Sequence, residues 1–189
     1  MAFESLLNHI SGFQPVSQEV KAALAGSFAL LTIPRNEYLL REGQICRHLY
    51  FMEKGALRGY YNLEGRELTH WFAFENDFVT SFHSFITGQA SLENIQLLEG
   101  GMVWAIAKEE LEALLGRFPE LERLVRLIYE RYYIRLEERF VRTHFKAATE
   151  RYQDLLRETP HIAGRVPLGY IASYLGISQE TLSRIRSRL

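Results

Sequence analysis

Between Phe28 and Ala107 the chain breaks into seven short runs of Leu, Ile, Val, Phe, Tyr and Trp: FALLTI, EYLL, HLYFME, ALRGYY, LTHWFAF, IQLLE and MVWAIA. Turn signals separate them, namely Pro34-Arg-Asn, Glu42-Gly-Gln, Lys54-Gly, Leu63-Glu-Gly, Asn76-Asp and Gly100-Gly. Many short strands at regular spacing fold as an antiparallel barrel or jelly roll, because only closure or a double sheet hides so many edges. Ahead of the runs, Phe3 to Gly26 holds two short helical patterns, the second starting at Ser17 as N-cap and stopping near Gly26. The fold class is therefore α+β.

After Ala107 the period lengthens to that of helices. Glu109 to Leu115 reads as a short helix, and Pro119 fits the first turn of the next. From Pro119 to Phe145 there is no Gly and no further Pro, about twice the length of an average helix. Leu121, Val125, Ile128 and Tyr132, then Tyr129, Tyr133, Leu136 and Phe140, mark an apolar stripe that drifts around its axis. A helix this long needs a packing partner. The stripe can face its own β-domain, a second copy, or both. The expectation is a dimer seam built from Leu121, Val125, Ile128, Tyr132 and Leu136. A shorter helix from Ala147 to Arg157 and a loop through Thr159-Pro160 and Gly164 follow.

The last segment, VPLGYIASYLGISQETLSRIRSRL, has the spacing of a helix-turn-helix. Pro167 starts a helix whose apolar face is Ile171, Ala172 and Leu175, with Ala172 small where a second helix crosses. Gly176 ends it with a left-handed residue, Ile177 fills the corner and Ser178 caps the next helix. Leu182 and Ile185 point inward, which leaves Gln179, Glu180, Thr181, Ser183, Arg184 and Arg188 as the residues expected to meet DNA. Such a helix lies in a major groove. An ordinary helical hairpin with a basic solvated side is the alternative.

Charge supports two different halves. Met1 to Gly116 carries 8 Lys/Arg against 14 Asp/Glu, and Arg117 to Leu189 carries 14 against 9, so a basic back half is offered to an anion such as double-stranded DNA. One cysteine, Cys46, cannot build an internal disulfide or a Cys-based zinc or iron–sulfur cluster. The N-terminus has no basic, apolar leader, and no apolar run approaches the ~20 residues of a membrane span, so a cytoplasmic protein with no membrane partner is expected.

Taken together, the sequence resembles the cyclic-AMP receptor protein/FNR (Crp/Fnr) superfamily of bacterial transcription regulators. YLLREGQICRHLYFMEKGALRGYYNLEGRE is similar to the family's β-roll, with Gly43, Tyr50, Lys54 and Gly55 at its turns. FENDFVTSFHSFITG resembles the cassette that holds a cyclic nucleotide phosphate. GISQETLSRI is similar to the recognition helix, with Glu180 and Arg184 at base-reading positions and Gln179 where the family often has Arg. The resemblance implies an effector domain at 1–116 with a cyclic-nucleotide-binding-like β-roll. A dimerisation helix at 117–146 and a winged-helix-like DNA-binding unit at 147–189 follow. The implied partners are DNA, a second copy and RNA polymerase, with no cofactor and no enzymatic activity.

One departure matters. Cyclic-nucleotide binders of the family carry Gly-Glu and Arg-Ser or Arg-Thr/Ala pairs in the cassette. Here Thr80-Ser81 stand at the first pair, Ser91-Leu92 near the second, and no Lys or Arg occurs from Asp77 to Gly101. A buried phosphate without a cation is poorly compensated, so control by cyclic AMP is not expected. If a small-molecule effector binds, its pocket is expected at Phe74, Phe78, Thr80, Ser81, Phe82, Phe85 and Ser91, favouring an apolar or planar ligand. The alternative is that these rings fill the β-roll core.

Other classes fit less well. A metal-dependent cupin enzyme needs clustered histidines and a Glu, whereas His48, His70 and His83 are isolated, so no metal site is expected. Cys46 beside Arg47 could act as a redox thiol, or be an ordinary strand-edge thiol. No nucleophile elbow supports Ser-His-Asp catalysis. The remaining alternative is a dimeric ligand-sensing or scaffold protein that does not regulate transcription.

Overall fold

The computed structural model describes residues 3–188. Two helices lead, α1 (Glu4–Ser11) and α2 (Gln18–Ser27). Ser17 Oγ caps α2 by accepting from the Val20 N–H at 3.2 Å. Eight strands follow: β1 (Ala29–Ile33), β2 (Tyr38–Leu40), β3 (His48–Lys54), β4 (Leu57–Leu63), β5 (Arg66–Ala73), β6 (Phe78–Val79), β7 (Asn94–Leu97) and β8 (Gly101–Ala107). They form two antiparallel four-stranded sheets, ordered β1-β8-β3-β6 and β2-β7-β4-β5. This double sheet is the jelly roll expected from the run spacing. The turn between β4 and β5 needs positive φ at both Glu64 (52°) and Gly65 (83°), which a tight hairpin of this hand requires.

Two elements went unread in the sequence. The two-residue β6 and the six-residue α3 (Phe82–Thr87) lie in the cassette between Asn76 and Gly88. Both are too short for periodicity to register.

After β8 come α4 (Lys108–Arg117) and α5 (Pro119–Phe145), with Pro119 in its first turn as expected. At 27 residues α5 is about 40 Å long. Its first half is welded to its own β-roll: Leu121, Leu124 and Ile128 are buried in the core that also holds Phe51, Met52, Ile95 and Ile106. Each such aliphatic chain contributes about 2 kcal/mol of burial. Tyr132 is tied to the same domain, since its hydroxyl donates to the Phe78 carbonyl at 2.9 Å and accepts from the Phe78 N–H at 2.7 Å. The second half of α5 leaves the core, and Tyr133, Leu136, Phe140 and Phe145 are all exposed.

The chain ends with α6 (Ala148–Glu158), α7 (Ile162–Arg165), α8 (Leu168–Leu175) and α9 (Gln179–Arg186). Where a loop was expected around Gly164, one helical turn forms. Among the described residues no wing strand follows α9. A second core unites Tyr152, Leu155, Ile162, Ile171, Leu175, Leu182 and Ile185 with Ala56, Phe74 and Leu98 of the β-roll.

Candidate nucleic-acid interface and effector cassette

The turn between α8 and α9 closes as the sequence dictates. Gly176 adopts φ 66°, and its N–H bonds Ser173 O while the Ile177 N–H reaches Ala172 O at 3.0 Å. That pair satisfies carbonyls which the helix end would otherwise leave open. Ser178 Oγ then accepts from the Thr181 N–H at 3.2 Å and fixes the start of α9. Leu182 and Ile185 are buried against Ile171, Ala172 and Leu175. With that face committed, Gln179, Glu180, Ser183, Arg184 and Arg188 are exposed. Thr181 is half-buried, and its hydroxyl lies 3.1 Å from that of Ser178.

Charge on this face is uncommitted. Among the described residues no ion pair engages Arg184, Arg186 or Arg188. Glu180 forms none with Arg184. Its carboxyl is held below the usual range first by the Ser178 hydroxyl, then by its own backbone N–H, with a smaller pull from the Arg184 charge. Gln179 folds back so that its Oε1 would sit 3.2 Å from a Cβ at Gly169, next to the start of α8.

The unit carrying α8 and α9 docks on the edge of the β2-β7-β4-β5 sheet. Ser173 Oγ donates to Glu67 O at 2.9 Å and accepts from the Thr69 N–H at 3.0 Å, covering part of the free edge of β5. Arg58, buried on β4, lies between the rings of Tyr60 (4.0 Å) and Tyr170 (3.6 Å) and donates to Gln96 and Glu67. Arg165 grips two carboxylates: Nη1 and Nη2 reach Glu75 at 2.7 and 2.8 Å, and Nε and Nη2 reach Glu99 at 2.9 and 2.8 Å. The bonds of Ser173 and Arg165, invisible to local pattern, join residues 66 to 106 positions apart.

The cassette is closed on itself. Ser81 and Ser91, expected to line an effector pocket, have hydroxyls 3.1 Å apart, and Ser91 Oγ donates to Glu93 O. Thr80 Oγ1 donates to His48 O. Two residues beyond Ser91, the buried Glu93 carboxylate accepts from Trp71 Nε1 at 2.9 Å and lies 2.6 Å from His70 Nε2. His70 stacks on Tyr61 at 4.4 Å. A carboxylate thus stands in the cassette, with no Lys or Arg supplied by residues 77–101.

The expected ring pocket separates into different places. Phe78 and Phe85 are core residues. Phe82 packs on Tyr129 and Tyr132 of α5. Phe74 faces the other way, edge-on to His161 and under Arg165, so it belongs to the contact with the helix-turn-helix unit. The expected seam needs a similar correction. Leu121 and Ile128 are buried in their own domain, Val125 and Tyr132 are half-buried with Tyr132 tied to Phe78, and Leu136 is exposed. The exposed row is Tyr129, Tyr133, Leu136 and Phe140, spaced 4, 3 and 4 residues apart as in a coiled-coil seam. A trough of about 480 Å³ lined by Leu115, Val125, Tyr129 and Tyr133 runs beside it.

With this geometry in place, comparison with known proteins gives the class of the front half. Residues 30–118 match the cyclic nucleotide-binding domain family. No curated protein matches the chain. Among solved structures, FixK2 of Bradyrhizobium japonicum superposes with a TM-score of 0.76 at 22% identity, over 86% of this chain and 84% of that one. A Crp/Fnr-family protein of Eubacterium rectale gives 0.71 at 17% identity, over 94% and 87%. The c-di-GMP-responsive global regulator CLP of Xanthomonas campestris gives 0.68 at 18%, over 91% of each. Over most of its length, therefore, this chain has the fold of the Crp/Fnr regulators. No helix among the described residues is long and apolar enough to cross a membrane.

Proposed function

We propose that this protein is a homodimeric, sequence-specific DNA-binding transcription regulator of the Crp/Fnr type whose β-roll is not governed by cyclic AMP. The observation that carries this reading is the outer face of α9, where the exposed Arg184 and Arg188 project from a capped helix and enter no ion pair among the described residues. Gln179, Glu180 and Arg184 read base edges. Arg184 takes the two acceptors of a guanine, and Glu180 accepts from a cytosine amino group. Ser183, Arg188 and Thr181 position the helix on sugar and phosphate. RNA polymerase is the downstream partner of such a regulator.

The second copy packs through Val125, Tyr129, Tyr133, Leu136 and Phe140. Two recognition helices related by a two-fold then require a pseudo-palindrome with half-sites about one helical turn apart. Selection from a pool of random duplexes tests this. It should return one such palindrome, and a pool that stays random would reject the function.

In the cassette, a nucleotide phosphate would meet the Glu93 carboxylate and two serines already bonded to each other. Both features oppose an anion there.

A further inference from the structure

Where the C-terminal end of α5 meets α6 and α8, a cleft is lined by Arg139, Arg142, Thr143, Arg151, Glu158 and Tyr174. Three guanidinium groups face it and one carboxylate answers them. That carboxylate is taken: Arg142 pairs with Glu158 and also with Glu138. Arg151 spends its terminal nitrogens on the carbonyls of Thr143, Lys146 and Leu175, and its Nε is buried with no acceptor. Arg139 is the unanswered group. It is half-buried and stacks 4.5 Å over the Tyr174 ring, and it has no ion pair or hydrogen-bond acceptor among the described residues. Burial lowers its pKa, with Arg142 acting in the same direction against the opposing pull of Tyr174 and Tyr61.

An arginine cannot escape such a place by losing its proton. Arg139 keeps some contact with water, but the Tyr174 ring covers one face of its guanidinium and leaves its outward donors free to meet an acceptor. A planar fork beside a second fixed arginine has the geometry that binds oxyanions two hydrogen bonds at a time. The free space at the bottom of the cleft is about 30 Å³, room for an ion and not for a nucleotide base.

We propose that this cleft is a binding site for a small oxyanion of the phosphate class, held by Arg139 with Arg142. The site is separate from the cassette and from the outer face of α9. Arg139 and Arg142 both stand on α5, and Glu158 of α6 and Tyr174 of α8 line the same cleft, so occupancy changes how firmly the reading head is held against the long helix. The proposal does not depend on DNA binding.

Thermal unfolding in inorganic phosphate, against chloride at matched ionic strength, tests it. Phosphate at ten times its Kd should raise the wild-type Tm by about 3–6 °C. Arg139→Gln should abolish that shift, while Arg123→Gln, an exposed arginine elsewhere on α5, should keep it. General salting-out acts on all three alike and cancels. In phosphate-free buffer Arg139→Gln should melt no lower than wild type, because an unanswered cation has been removed. A wild-type Tm indifferent to phosphate, or an equal shift in Arg139→Gln, would overturn the proposal. So would a wild type that ignores free phosphate but binds DNA with a shallower salt slope once Arg139 is replaced; that result would make Arg139 a DNA-backbone contact.

Discussion

Replacing Arg165 by Met should loosen the helix-turn-helix unit from the β-roll while the apolar residues of both cores stay in place, Phe74 losing only the guanidinium above it. The side chain is 24% exposed, its partners Glu75 and Glu99 35% and 34%, and four charge-assisted hydrogen bonds join them. Enclosed bonds of this kind contribute about 1.5–3 kcal/mol each, and partial exposure with salt screening cuts that at least in half, so the whole grip is worth about 3 kcal/mol. In a urea double-mutant cycle with Glu75→Gln, the Arg165–Glu75 half should show a coupling of about 1.5 kcal/mol. The grip also has a pH signature. The hydrogen bonds from Arg165, helped by the Gly55 N–H, hold the Glu75 carboxyl at about 2 against an ordinary 4.5. A depressed carboxyl stabilises the fold fully above its unfolded value and loses that contribution as pH falls towards the folded one. The stability gap between wild type and Arg165→Met should therefore be widest at neutral pH and narrow steadily between pH 4.5 and 2. A coupling below about 0.5 kcal/mol at pH 7, or a gap that does not shrink in acid, would refute this account of the interface.

Two further outcomes follow from the seam and the cassette. Tyr133→Asp and Leu136→Asp should convert dimers to monomers in sedimentation while leaving the fold intact, whereas Ile128→Asp should lower stability by more than about 3 kcal/mol, because a charge would enter the β-roll core; the reverse ranking would show that Ile128 faces the partner. Titration calorimetry with cyclic AMP should show no micromolar binding, and a clear isotherm would mean that the Ser81–Ser91 contact and Glu93 rearrange to admit a phosphate.

The parts of this molecule that were legible in the sequence are those specified by neighbours along the chain. Gly176, Ile177 and Ser178 define the turn from adjacent residues alone, and Pro119 with a Gly-free run fixed the bounds of α5. The strand runs were visible because turn signals separate them. What stayed hidden depends on long-range partners. The drifting stripe on α5 shows that two faces are apolar, yet the sequence cannot say which one meets the β-roll; Leu121 and Ile128 went there and Tyr133 and Phe140 did not. His70 and Glu93 lie 23 positions apart, and Arg165 and Glu75 lie 90 apart, so neither pair leaves a local signal. Phe74 looks like its neighbours Phe78 and Phe82 until the chain turns at Asn76 and sends it to the opposite side.

The central claim is that α9 reads DNA, and one comparison tests it most directly. Binding of wild type, Arg184→Ala and Arg188→Ala should be measured on the selected duplex and all its single-base variants, at two salt concentrations. Arg184→Ala should cost about 1–3 kcal/mol on the best site and erase preference at one base pair of each half-site. Arg188→Ala should weaken every sequence alike and reduce the salt slope by about 1. If Arg184→Ala leaves base preference unchanged, α9 is not the reading helix.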